Sequence, residues 1–89
     1  MSWRVVFSRQ AQKDARKLAS ASPALKQRAE ELIVLLVEDP WHSPPPFEAL
    51  VGDLRRAYSR RINIKHRLVY SVEVDQQLVE VLRLWSHYD

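Results

Sequence analysis

The chain has 89 residues, no cysteine, one glycine, five prolines and a formal net charge of +3. That length allows one domain burying a little over ~60% of its unfolded surface, and without cysteine it has neither a disulfide nor a thiolate zinc site to reinforce it. At 46% hydrophobic and 28% charged residues the composition is globular rather than disordered, and the longest apolar run, the six residues Leu32 to Val37, falls far short of the ~18 of a membrane span.

Trp3 to Phe7 alternates polar and apolar side chains as a first strand does, and lacks the apolar core of a secretion signal. Ser8 fits a helix N-cap, and Gln10 to Leu18 sets Ala11, Ala15 and Leu18 at helical spacing. Ser20 to Pro23 interrupts that helix. Ser22 before Pro23 is an N-cap followed by proline at the first helical position, so a second helix starts there. Its apolar stripe is Leu25, Ala29, Leu32, Ile33 and Leu36, and it stops by Asp39, because proline disfavours helical geometry in the residue before it. The two form a helical hairpin. Pro40 to Pro46 then reads as a stiff, extended surface crossing, with Glu48 just beyond it and a turn at Gly52-Asp53.

Three strands follow, Leu54 to Ile62, Arg67 to Val74 and Leu78 to Leu84, with turns near 63–66 and 75–76. Leu68, Tyr70, Val72 and Val74 alternate with Arg67, Val69, Ser71 and Glu73, so the first set should face the core. Tyr58 and Ile62 are the core residues of the preceding strand. Directly opposed residues share a face, so Tyr58 needs an even-numbered partner such as Tyr70, which sets Arg61 against Arg67. A one-residue slip would turn an arginine into the core. Arg60 falls on the core side in this register, and its head is expected to reach the rim. The expected fold is α+β: a helical hairpin on a small twisted antiparallel sheet, in the order β-α-α-β-β-β, with residues 1–89 as one cytoplasmic domain.

Residues 51–70 hold Arg55, Arg56, Arg60, Arg61, Lys65 and Arg67 against Asp53 alone, whereas residues 71–89 hold Arg83 against Glu73, Asp75, Glu80 and Asp89. Such a local excess suits a polyanion or an acidic partner; it also suits a strand edge protected by charge. Opposed guanidiniums cost stability unless solvent, a carboxylate or a bound anion offsets them, and arginine forks match phosphate oxygens.

The motifs of several chemistries are missing. His42, His66 and His87 lack the helical spacing of metal ligands, so no metal is expected, and there is no glycine-rich phosphate loop and no Gly-x-Ser-x-Gly turn. By itself, neither Glu48 nor His87 identifies an active site.

The run Ser59-Arg60-Arg61-Ile62, then His66-Arg67-Leu68-Val69-Tyr70, then His87-Tyr88, resembles the Txe/YoeB toxins of bacterial toxin–antitoxin systems, within the RelE/ParE superfamily. The likeness is strongest from Glu48 to Tyr88; the first half matches in its strand-helix-helix pattern, Asp39-Pro40 and Trp41. The resemblance implies a RelE/YoeB-like ribonuclease fold and a ribosome-associated endoribonuclease that cuts mRNA and needs no cofactor. Carried onto this chain, the family's catalytic glutamate falls on Glu48, its principal arginine on Arg67, an ancillary arginine on Arg61, and its terminal pair on His87 and Tyr88. Arg56, Arg60 and Lys65 join Arg61 as expected RNA contacts. The implied partners are mRNA, the bacterial ribosome and a YefM-like antitoxin with an acidic tail, and homodimerisation is compatible with the resemblance.

The chain departs from the family at four places. Pro46 and Val51 stand where lysines commonly flank the glutamate, and Ser86 replaces an aromatic before the histidine. Asp89 adds a negative charge beside His87, which favours the imidazolium but also repels RNA. Two alternatives follow, a non-cleaving RNA or ribosome binder and a ParE-like gyrase inhibitor.

Overall fold

The computed structural model describes residues 2–50 and 57–85. Strand β1 (Arg4–Phe7) leads into α1 (Arg9–Ala21) and α2 (Pro23–Glu38), followed by β2 (Glu48–Ala49), β3 (Ala57–Arg61), β4 (Arg67–Glu73) and β5 (Leu78–Arg83). The strands form one sheet in the order β1-β5-β4-β3-β2.

Two serines set the helix ends. Ser8 Oγ accepts from the Ala11 amide at 3.0 Å, opening α1, and Ser22 Oγ accepts from the Leu25 amide at 3.3 Å, opening α2. The Ser22 amide also donates to the Leu18 carbonyl at 3.0 Å. One residue thus closes the first helix and starts the second, and α1 continues to Ala21, three residues past the expected Leu18. Asp39 ends α2 before Pro40 as the sequence predicts.

The helices cover one face of the sheet. Leu18, Leu32 and Leu36 pack with Leu68, Tyr70, Val72, Val79 and Val81, all buried; each such aliphatic side chain contributes roughly 1.5–3 kcal/mol. Tyr58 opposes Tyr70 and Arg61 opposes Arg67, the register expected from the hydrophobic pattern. Val74, expected in the core, is 46% exposed. It lies past the end of β4 and accepts the Gln77 amide in the turn to β5, so alternation no longer applies to it. Of the expected strand Leu54 to Ile62, residues 54–56 lie outside the described residues.

The sheet is mixed rather than antiparallel. β1 runs parallel to β5 at the sheet edge, while β2, β3, β4 and β5 pair antiparallel in succession. Parallel neighbours require a long connection, and periodicity within β1 carries no information about which strand it joins. The additional strand β2 has only two residues, too few for a pattern to be read. Near its end β5 carries an extra residue: the partners step from Tyr70↔Val81 to Val69↔Arg83, skipping Leu82. This bulge shifts the alternation, so that Leu84 is buried together with Val81.

Candidate functional site

Glu48 stands opposite Ser59 across the β2–β3 pair, and Arg61 opposite Arg67 across β3–β4. Opposed residues share a face, so Glu48, Ser59, Arg61 and Arg67 project together from the face opposite Leu68 and Tyr70. Arg67 Nη1 lies 3.8 Å from Glu48 Oε1 and donates to Ser59 Oγ at 3.4 Å. The register is locked by the hairpin between β3 and β4. Asn63 Oδ1 accepts from the Lys65 amide at 2.9 Å and the His66 amide at 2.7 Å, and the Ile62 amide donates to the His66 carbonyl at 2.9 Å.

These groups line an open cleft of about 510 Å³, whose wall also includes Pro45, Pro46, Ile62, Asn63, Ile64 and, from α2, Arg28. Among the described residues, three guanidiniums thus border it against the one carboxylate of Glu48. That carboxylate is 70% exposed, and an ion pair so open to water is worth under ~1 kcal/mol. An incoming phosphate can therefore take the arginine from it. A carboxylate beside guanidiniums and a hydroxyl is suited to accept a proton while cations hold an anionic centre next to it.

The structure brings together Glu48, Arg61 and Arg67 of the residues singled out from sequence. Lys65 is exposed at the hairpin tip, beside Ile64, which is 92% exposed. Arg56, His87 and Tyr88 lie outside the described residues. Arg60 is a correction: its head does not reach the rim, and it is no surface contact for RNA. It is 1% exposed, with Nη2 donating to the Pro40 carbonyl at 2.9 Å, Nη1 to the Pro45 carbonyl at 2.6 Å and Nε to the Tyr70 hydroxyl at 3.2 Å. The Tyr70 hydroxyl in turn donates to the Pro40 carbonyl at 2.8 Å. Burial pushes the Tyr70 hydroxyl above its usual pKa, and the Arg60 cation offsets only part of that. Arg60 therefore ties down the 40–47 crossing that delivers Glu48 to the cleft. The core-side register indicated where its backbone sits; the carbonyls that receive its head come from a loop no pattern places.

Other residues were not singled out from the sequence. Arg28 reaches the cleft from a helix far away in the chain. Asp14 is buried on α1 and accepts hydrogen bonds from β5 and the residues after it. Because that one acidic residue of α1 points inward, Arg9, Lys13, Arg16 and Lys17 leave the exposed side of the helix uniformly basic. Their spacing, in steps of three and four, was the available signal. Among the described residues no three of His, Asp and Glu cluster as a metal site requires, and no helix is long and apolar enough to cross a membrane.

The family model for the YoeB-like toxin of bacterial type II toxin-antitoxin systems matches residues 7–88. A Toxin YoeB of Streptomyces coelicolor is 34% identical over 85 residues, covering 96% of this chain and 99% of the relative. Among solved structures, a YoeB/ParE toxin from Agrobacterium tumefaciens superposes with a TM-score of 0.86 at 27% identity, over 96% of this chain and 99% of that one. The YoeB dimer from Staphylococcus aureus gives a TM-score of 0.82 at 26% identity, over 99% and 100% of the two chains. The YoeB–YefM complex from the same organism gives 0.79 at 27% identity, again over 99% and 100%.

Proposed function

This chain belongs to the YoeB-like toxins of bacterial type II toxin–antitoxin systems, and from that premise we propose that it is an endoribonuclease that halts translation by cutting mRNA on the ribosome. The observation that carries this reading is the juxtaposition of Glu48 with Arg67, at 3.8 Å, and of both with Ser59 and Arg61 on one face of the sheet. When RNA enters, a phosphate takes the guanidiniums of Arg67 and Arg61, and Glu48 is released to accept the 2′-hydroxyl proton. The 2′-oxygen attacks the adjacent phosphorus, and negative charge grows on the non-bridging oxygens facing the arginines. His87 gives a proton to the departing 5′-oxygen, leaving a 2′,3′-cyclic phosphate and a 5′-hydroxyl, while Tyr88 stacks on a base. Base, anion holder and acid are then all side chains, and no metal is required. The need for a 2′-hydroxyl restricts the substrate to RNA.

The regulatory partner in this proposal is a YefM-like antitoxin whose acidic, partly disordered segment competes with RNA for Arg61 and Arg67. The S. aureus relative is found both with YefM and as a dimer, and both assemblies are proposed here for a protein acting in the cytoplasm.

The test incubates the purified chain and its Glu48→Ala and His87→Ala variants with mRNA, with and without translating ribosomes, and assays the product ends. Cuts that depend on ribosomes, carry cyclic phosphates and are lost in both variants support the reading. Arrested translation with the message intact replaces it with a non-cleaving blocker. Inhibition of gyrase with neither effect points to a ParE-like activity.

A further inference from the structure

The cleft is larger than the reaction proposed for it requires. Glu48, Ser59, Arg61 and Arg67 serve one phosphate and one hydroxyl, whereas about 510 Å³ falls in the range of sites that enclose a whole small molecule. The rest of its wall is of a different character. Pro45, Pro46, Ile62 and Ile64 supply apolar surface, and Arg28 brings a guanidinium from α2.

Both parts of this second wall are held in place. Ile64 is 92% exposed, yet it sits on a fixed tip, because the Asn63 side chain accepts from the Lys65 and His66 amides on either side of the turn. The Pro45 carbonyl accepts from the buried Arg60 at 2.6 Å, which anchors the proline segment. An exposed isoleucine standing alone means little, but apolar side chains gathered in one cleft and rimmed by cations mark a contact surface. Arg28 precedes Leu32 by four residues and Leu36 by eight, so it continues the buried stripe of α2 beyond the core. Its Nη1 lies 3.7 Å from Glu31 Oε1, with both side chains about half exposed, and so open an ion pair is readily exchanged for a phosphate. Helix α2 covers one face of the sheet, and Arg61 and Arg67 stand on the other. The cleft therefore turns around the end of the β3–β4 hairpin, from the reacting groups to Arg28.

We propose that the wall formed by Arg28, Ile64 and Pro46 is a subsite for a nucleotide flanking the scissile one, an inference that rests on the ribonuclease reading under the previous heading. Arg28 takes the flanking phosphate, and the base lies against Ile64 and Pro46. A nucleotide needs both a cation and an apolar surface, whereas an acidic peptide would use Arg28 and leave the isoleucine and prolines uncovered. A base can lie against a side chain only when it is unstacked, so the segment bound is single-stranded. Apolar contact and a point charge read no base edge, which makes this subsite tolerant of sequence. The protein thus grips at least three nucleotides, joined by two phosphates.

The test compares 2′-O-methyl adenosine dimers and trimers, which lack the attacking hydroxyl and carry one and two bridging phosphates. Their affinities for the purified full chain are measured by NMR titration at low salt, for wild type, Arg28→Gln, Ile64→Ser and Arg67→Ala. The wild type should bind the trimer about tenfold more tightly than the dimer, the product of the two contacts estimated separately. Arg28→Gln should weaken the trimer about three- to fivefold, as for loss of an exposed ion pair. Ile64→Ser should weaken it about threefold through lost apolar contact. Neither substitution should alter the dimer, and Arg67→Ala should weaken both oligomers. A wild type that prefers neither oligomer, a trimer bound unchanged by either Arg28→Gln or Ile64→Ser, or equal losses for dimer and trimer overturns the subsite and leaves the ribonuclease reading standing. A hexaglutamate peptide that loses affinity in Arg28→Gln while the trimer does not would assign Arg28 to an acidic protein segment, and also overturns it. A dimer bound equally well by Arg67→Ala means that the cleft does not hold the reacting phosphate, and the ribonuclease reading then falls together with the proposal.

Discussion

Arg61 and Arg67 stand directly opposite each other on β3 and β4, with no residue between them in the ladder. Glu48 lies beside Arg67 and offsets part of the charge of the two adjacent cations. Like charges at opposed positions are destabilising, so this sheet face carries a small cost that a bound polyanion would remove. Arg61→Gln should therefore act with opposite signs on stability and binding. Thermal unfolding of the free protein should be unchanged or slightly raised, by at most about a few tenths of a kcal/mol. RNA binding should weaken, and its log–log salt dependence should become shallower by about 0.7, the contribution of one phosphate on a single strand. Lower stability in Arg61→Gln, with an unchanged salt slope, would mean that Arg61 is a structural residue.

The pairing of these arginines was legible before the structure because a period of two leaves only two face choices, and burial excludes one of them. Helix ends were legible at Ser8, Ser22 and Asp39 because capping is local chemistry. Arg60 was misread because the same pattern placed its backbone on the core side without indicating what its head would meet. Its acceptors, the carbonyls of Pro40 and Pro45, come from an irregular crossing. The parallel place of β1, the two-residue β2 and the links from Asp14 to residues 83–85 were illegible for a shared reason: each joins segments far apart in the chain, and a pattern within one segment holds no record of its neighbour.

Arg60 yields a prediction that separates folding from contact with RNA. Its guanidinium is buried, donates to two carbonyls and the Tyr70 hydroxyl, and packs 5.1 Å from the Phe47 ring centroid. Arg60→Ala should destabilise the protein by about 2–4 kcal/mol, because it leaves buried acceptors without donors and opens a cavity. Arg60→Lys should recover only part of that, since an ammonium cannot reproduce the three-way fork. Urea unfolding measures the loss, and RNA affinity of the fraction still folded should keep its salt slope. A shallower slope in the folded fraction of Arg60→Ala would restore Arg60 to the RNA-binding surface.

Gln77 has φ of 48°, in the left-handed region, at the turn between β4 and β5. A side chain with a Cβ is disfavoured there, whereas glycine is not. Gln77→Gly should stabilise the fold by roughly 0.5–1 kcal/mol after the entropy cost of glycine, raising Tm by about 2–8 °C for a chain of this size. Calorimetry tests this directly, and because the turn lies outside the cleft, mRNA cleavage should not change. A lower Tm would mean that the side chain contributes more than its backbone conformation costs.

The Asp14 carboxylate makes the junction of α1 with the end of β5 sensitive to acid in a defined direction. Despite burial, its four hydrogen bonds hold its pKa below the ordinary 3.8. A group whose folded pKa lies below its unfolded value contributes stability that is fully present above the unfolded value and is lost as pH falls through the folded one. The stability difference between wild type and Asp14→Asn should thus be flat from neutral pH down to about pH 5, at about 1.5–3 kcal/mol as expected for hydrogen bonds to a charged group. It should then shrink as the pH drops past 3.8, because the asparagine variant has no proton to gain at that position. Urea unfolding of both proteins across this range gives the difference directly. A difference that grows as the pH falls would mean that burial outweighs the hydrogen bonds, and that Asp14 is held in its neutral form.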